Sequence, residues 1–203
     1  MVIKRICVFC GSSPGAGPDY LKAAEALGAA FLKRELGLVY GGAGVGLMGR
    51  LADTMLSGGA EVIGVMPVAL ADRKVAHSGL TDLRVVSTMH ERKALMADLG
   101  DGFIALPGGL GTIEELLEAL TWAQLGLHCK PCGILNIDGY FDSLKAFLDR
   151  ATDHRFMNPG HRSLVLDSGD PETLLDLMST YDPPPNDKAE WIHSVNKIST
   201  GGR

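Results

Sequence analysis

Seven short apolar runs recur along this chain, and all but one lead into a stretch with helical spacing. The runs are IKRICVFCG, GLVYGG, AEVIGVMP, LRVVS, GFIALPGG, PCGILNI and LVLDS. The helical stretches are DYLKAAEALGAAFLKREL, GLMGRLADTMLSGG, MHERKALMADLG, TIEELLEALTWAQLG, YFDSLKAFLDRAT and PETLLDLMSTY. Only the third run is followed by a loop, from Val68 to Thr81. Strands that are apolar on both faces and alternate with helices predict a mainly parallel sheet covered on both sides. Right-handed crossovers make that an α/β fold of the Rossmann-like, doubly wound kind. The 203 residues suit a single such domain. It is expected over residues 1–181, followed by a polar, proline-rich and flexible tail over 182–203 in which Trp191 is a docking point.

In folds of this kind ligands lie outside the carboxyl ends of the strands. Three loops rich in glycine or polar residues fall there: CGSSPG, GGAGVGLMG and LPGGLGT. Candidates for contact with a phosphate or nucleotide in them are Ser13, Gly42, Gly44, Gly108, Gly109, Gly111 and Thr112. The chain carries 19 Lys+Arg against 24 Asp+Glu, a net charge of −5, which argues against nucleic-acid or acidic-membrane partners. No apolar run approaches the ~18 residues of a spanning helix. The first residues lack a signal cleavage site, so a cytoplasmic protein is expected.

Two patterns invite stronger readings. Cys7 with Cys10 and Cys129 with Cys132 form two C-x-x-C pairs. Side chains alternate along a strand, so Cys7 and Cys10 are expected on opposite faces, unable to converge on one metal ion. The expectation is buried, inert cysteines and no metal site. GVGLMG, from Gly44 to Gly49, matches a dinucleotide fingerprint. That fingerprint requires an acid at the end of the next strand, where Met66 and Pro67 stand. What remains is a strand, glycine loop and helix suited to backbone contact with a nucleotide, or glycines that serve packing alone.

Two helix starts carry the chemistry. In STMHERKALM, Thr88 and Glu91 form a capping box. Arg92 and Lys93 follow, and cations in a first turn oppose the helix dipole by roughly 0.3–1 kcal/mol each. Two adjacent cations at the carboxyl edge of the sheet look recruited for an anion. In ALPGGLGTIEE, the glycines let backbone N–H groups approach a phosphate. The lysine of a Walker loop is missing, which argues against phosphoryl transfer. Thr112 can cap this helix with Glu115 as its partner, and Glu114 suits the dipole. From this segment alone, capping and catalysis are equal readings of Glu115.

Together the two segments, MHERK (Met89 to Lys93) and PGGLGTIEE (Pro107 to Glu115), resemble the Lonely Guy family. Its members are cytokinin riboside 5′-monophosphate phosphoribohydrolases, long labelled lysine decarboxylases. The similarity runs from CVFCGSSPG to about Tyr181. It implies hydrolysis of the N-glycosidic bond of N6-substituted adenine nucleoside 5′-monophosphates, and often of AMP, to free base and ribose 5-phosphate. It implies a homodimer or higher assembly and no cofactor. Carried over by motif, Arg92 and Glu115 are the catalytic pair, while Met89, Lys93 and the Gly108–Thr112 loop contact the nucleotide. Plant members have a glutamate in the loop ahead of the arginine, where this chain has Lys74 or a neighbour. A non-catalytic nucleotide-binding or carrier protein of the same fold would keep the glycine loops without needing Arg92 and Glu115 together. A decarboxylase would need a lysine-bound pyridoxal phosphate and a partner for its ring nitrogen, and no such constellation is visible.

Overall fold

The structure, a computed structural model, describes residues 2–71, 75–185 and 191–193. Seven strands form one sheet: β1 (Arg5–Phe9), β2 (Gly37–Tyr40), β3 (Val62–Pro67), β4 (Asp82–Val86), β5 (Gly102–Ala105), β6 (Cys132–Leu135) and β7 (Val165–Ser168). Every pairing is parallel, in the order β4-β3-β2-β1-β5-β6-β7. The helices are α1 (Pro18–Lys33), α2 (Gly46–Ser57), α3 (Val68–Ala71), α4 (Met89–Leu99), α5 (Leu110–Gln124), α6 (Asp142–Asp153), α7 (Pro159–Arg162) and α8 (Pro171–Ser179).

The apolar runs explain the layering. Alternate residues of each strand feed two separate cores. Ile6, Val8, Leu38, Tyr40 and Ile104 pack with α1, α2 and α8 on one face. Cys7, Phe9, Val39, Ile63 and Phe103 pack with α4, α5 and α6 on the other. Right-handed crossovers cause the division. The chain steps one way from β1 to β4 and returns to lay β5 beside β1, so its helices change face. The reversal opens a crevice between the carboxyl ends of β1 and β5. The loops there are laced together: the Gly11 N–H donates to the Pro107 carbonyl at 3.0 Å, and the Leu106 N–H to the Phe9 carbonyl at 2.9 Å.

Local patterns went astray in four places. The expected loop after β3 contains the single turn α3, and Ala76 forms an isolated bridge to Ala43. The turn α7 had no periodic signal. Strand β4 is a largely exposed edge rather than a strand covered on both faces. Helix α5 begins at Leu110, ahead of the expected threonine cap.

The cysteines follow the expectation of opposite faces: Cys10 belongs to the first core and Cys7 to the second. Among the described residues no cluster of side chains could hold a metal ion, and no helix is long and apolar enough to cross a membrane. The fingerprint glycines pack closely. A Cβ on Gly46, which has φ +61°, would stand 2.3 Å from the Ser12 carbonyl carbon, and one on Gly49 would stand 2.6 Å from Gly44 backbone. The positions expected for the flexible tail fall mostly outside the described residues, as does Lys74. Trp191, the expected docking point, is partly buried.

Candidate functional site

Helix α4 starts as its sequence dictates. The Thr88 hydroxyl accepts from the Glu91 N–H at 3.1 Å, and the Glu91 carboxylate accepts from the Ser87 N–H at 2.8 Å. With the cap settled by Glu91, the next two residues turn toward α5. Arg92 is only 8% exposed. Its Nε donates to the Val65 carbonyl at 3.0 Å, at the carboxyl end of β3, and its Nη1 donates to Glu115 Oε1. Lys93 donates to Glu114 at 2.5 Å and to Glu118 at 3.0 Å. The anions that these two cations meet within the fold are the carboxylates of α5.

Helix α5 corrects the capping-box reading of Thr112 and Glu115. Its N-cap is Gly109, with no side-chain cap. Thr112 is therefore inside the first turn and buried, while Glu114 and Glu115 lie in the second. An uncapped N-terminus leaves first-turn N–H groups for water or a ligand. Gly108 permits the loop to close: a Cβ there would come within 2.1 Å of Thr112 Oγ1 and 2.8 Å of the Gly11 nitrogen. Gly109 and Gly111 face open space instead.

Glu115 has a side chain 11% exposed. Burial pushes its carboxyl above the ordinary glutamate range, and the charge and hydrogen bond of Arg92 pull it partly back. The thiols of Cys7 and Cys10 are pushed up by burial first and by the Glu115 charge second, so both are protonated and unreactive.

These groups wall a cavity of about 370 Å³, a volume within the ordinary range for ligand sites. Arg92, Glu115, Met89 and residues Gly109–Thr112 line it, joined by Gly11, Ser12, Gly41 and Met48. A second cavity, about 350 Å³, shares Gly11, Ser12 and Gly109 and is walled by Ser13, Gly108, Tyr20 and Tyr140. A larger cleft of about 600 Å³ surrounds Arg5 and Glu61 at the opposite ends of the strands, remote from the pair.

The structure thus brings Arg92, Glu115, Met89, Gly109, Gly111 and Thr112 together, with Ser13 and Gly108 in the adjoining space. It does not bring Gly42 and Gly44 there. The Gly42 carbonyl accepts from the His77 N–H at 2.9 Å, and the Gly44 N–H donates to the Val75 carbonyl at 3.0 Å. Gly41 lines the cavity in their place. A Cβ on Gly41 would lie 2.5 Å from Arg92 Nη2. Nothing local marks which glycine of GGAG faces the site. Tyr140 carried no sequence signal except its position after β6.

Known proteins resemble this chain. A family model described as possible lysine decarboxylase matches residues 48–178. The chain is 48% identical over 180 residues to cytokinin riboside 5′-monophosphate phosphoribohydrolase LOG7 of Arabidopsis thaliana, covering 89% of this chain and 83% of that protein. It is 48% identical over 196 residues to the probable enzyme LOGL5 of Oryza sativa subsp. japonica, covering 95% and 80%. Among solved structures, the molybdenum cofactor binding protein of Rippkaea orientalis superposes with a TM-score of 0.68 at 23% identity, covering 89% of this chain and 98% of that one. The molybdenum cofactor carrier protein of Chlamydomonas reinhardtii does so at 0.66 and 20%, covering 87% and 96%. At such identities the likeness concerns the fold alone. With the relatives near half identity and the family model spanning most of the domain, the chain belongs to the Lonely Guy family.

Proposed function

We propose that this protein hydrolyses the N-glycosidic bond of adenine nucleoside 5′-monophosphates, N6-substituted ones included, as its relatives' names describe for cytokinin ribotides. The observation that carries the catalytic assignment is the buried Arg92–Glu115 pair set beside an uncapped glycine helix start in the switch-point crevice. Glycosidic cleavage develops positive charge on the sugar, and the substrate's other end is a phosphate anion. One helix can serve both ends. Its first-turn N–H groups suit the phosphate, and a carboxylate one turn on suits the sugar.

In this reading the C1′–N9 bond breaks and the base leaves with its electron pair. Water supplies hydroxyl to C1′ and its proton ends on the departing base; Glu115 either takes that proton from water as general base or first bonds C1′ as nucleophile and is released when water displaces it. Arg92 holds the carboxylate in place. Gly109, Gly111 and Thr112 receive the phosphate, with Ser13 and Gly108 alongside, and Met89 and Met48 give the base an apolar wall. The ion pairs of Lys93 leave it a role in fixing α4 against α5, with nucleotide contact only after exchange of a carboxylate. No cofactor enters this scheme.

Incubation with AMP and with isopentenyladenosine monophosphate, measuring free base and ribose 5-phosphate, tests the proposal. Release from either supports it, and release from neither overturns it. A carrier protein would bind both nucleotides and cleave neither.

The protein is further proposed to be a cytoplasmic homodimer. Leu110, 91% exposed at the cavity mouth, and the half-exposed Met89 and Val85 are apolar surface that a second copy would cover. Light scattering should give twice the 21.5 kDa chain mass; a monomer at working concentration overturns this part.

A further inference from the structure

The loop after β6 is tied more firmly than its position requires. Asn136 donates its backbone N–H to the Ser168 carbonyl at 2.8 Å. Its side chain accepts from the Phe141 N–H and donates to Asp142, both at 2.8 Å. Between these ties lies the 3-10 turn Ile137–Gly139, with Asp138 left-handed at φ 49°. The result is to aim Tyr140 across the crevice. Its ring meets Tyr20 edge-on at 5.9 Å and Phe141 edge-on at 5.1 Å. Its hydroxyl donates to the Gly108 carbonyl at 2.6 Å. Tyr140 is 43% exposed, so core packing does not account for its placement.

We infer that Tyr140 is a positioning residue that sets the orientation of the Gly108–Gly109 peptide toward a phosphomonoester, an inference that rests on the nucleotide reading above. A trans peptide is planar, so its C=O and N–H point in opposite directions. Holding the Gly108 carbonyl on Tyr140 directs the Gly109 N–H the opposite way; Gly109 borders both cavities, and Tyr140 lines only the one that lacks Arg92 and Glu115. A peptide between two glycines has little conformational resistance to rotation. Without the hydroxyl, the turned-over peptide would present a carbonyl oxygen to an anion. Tyr140 thus selects the N–H-forward form at a loop whose own residues do not.

The test is Tyr140→Phe, which keeps the ring contacts and removes one hydroxyl. Calorimetric binding of ribose 5-phosphate should weaken by roughly three- to tenfold, the scale of one neutral hydrogen bond. Adenosine, which lacks the phosphate, should bind wild type and variant alike. The KM for AMP should rise by the same factor with kcat nearly unchanged, and the melting temperature should hold. Equal ribose 5-phosphate affinity in both proteins overturns the inference, as does parallel weakening of adenosine. A wild type that binds ribose 5-phosphate yet cleaves no nucleotide would defeat the hydrolase reading while leaving this comparison intact.

Discussion

Arg92 reaches from the first turn of α4 to Glu115 in the second turn of α5, and its Nε is held at the same time by the Val65 carbonyl. One side chain therefore ties β3, α4 and α5 together at the crevice. The pair is almost withdrawn from water on both sides. Such pairs are weak evidence for stability but are costly to break singly, because the survivor is left charged and unpaired.

Glu115→Gln should separate binding from chemistry. The amide keeps the shape and still accepts from Arg92, but it can neither take a proton nor balance a sugar cation. Turnover of AMP should fall by about a thousandfold or more, the upper part of the range for loss of one positioned acid–base group. Nucleotide affinity should stay within a few-fold. Single-turnover kinetics and calorimetry check both, and near-normal turnover removes Glu115 from the mechanism.

Arg92→Ala should destabilise the protein by about 3–5 kcal/mol in denaturant unfolding, as expected when one partner of a buried pair is removed. Adding Glu115→Gln to it should restore part of that loss, because the stranded carboxylate is gone. A double-mutant cycle with no coupling would show that the two side chains act independently.

Burial raises the Glu115 pKa above that of an unfolded glutamate. The folded protein then holds this proton to higher pH than the unfolded chain does. In the window between the two values the folded state binds more protons, so the Glu115 contribution to stability falls as pH rises. Wild type should lose stability relative to Glu115→Gln across that window, and the acid limb of kcat/KM should lie above the usual carboxylate range. Parallel stability curves for the two proteins would contradict this.

Two glycines at the site should respond differently. Gly41→Ala places a methyl group 2.5 Å from the Arg92 guanidinium, so it should cut kcat/KM by tenfold or more, the kind of loss a small misplacement of a positioned group causes. Gly111→Ala meets nothing within 4 Å and adds helix propensity. It should raise stability by about 0.5–1 kcal/mol while crowding the ligand and raising KM. Melting curves alongside steady-state kinetics distinguish the two.

Much of this site was legible beforehand because its signals are short-range. Thr88 and Glu91 identify a helix start from four residues, and the cations that follow stand out against the dipole. The register of ALPGGLGTIEE was harder. Thr112 has the chemistry of a cap, but Gly108 lets β5 turn so tightly that the helix begins at Leu110, carrying both acids into its second turn. Gly42 and Gly44 illustrate the same difficulty from the other side. Their composition suits a phosphate, yet their backbone groups are engaged by residues near His77, more than thirty positions along the chain.

Periodicity along the chain is enough to order seven strands and most helices, since alternation and 3.6-residue spacing are set by backbone geometry within each segment. Once the strand order reverses after β4, the change of helix face follows from crossover handedness, which every L-polypeptide shares. Which carboxylate meets Arg92, which glycine of a run gives it room and which tyrosine reaches Gly108 depend on contacts between elements distant in the chain. Those contacts are decided when both cores pack at once, and no window of sequence contains both partners.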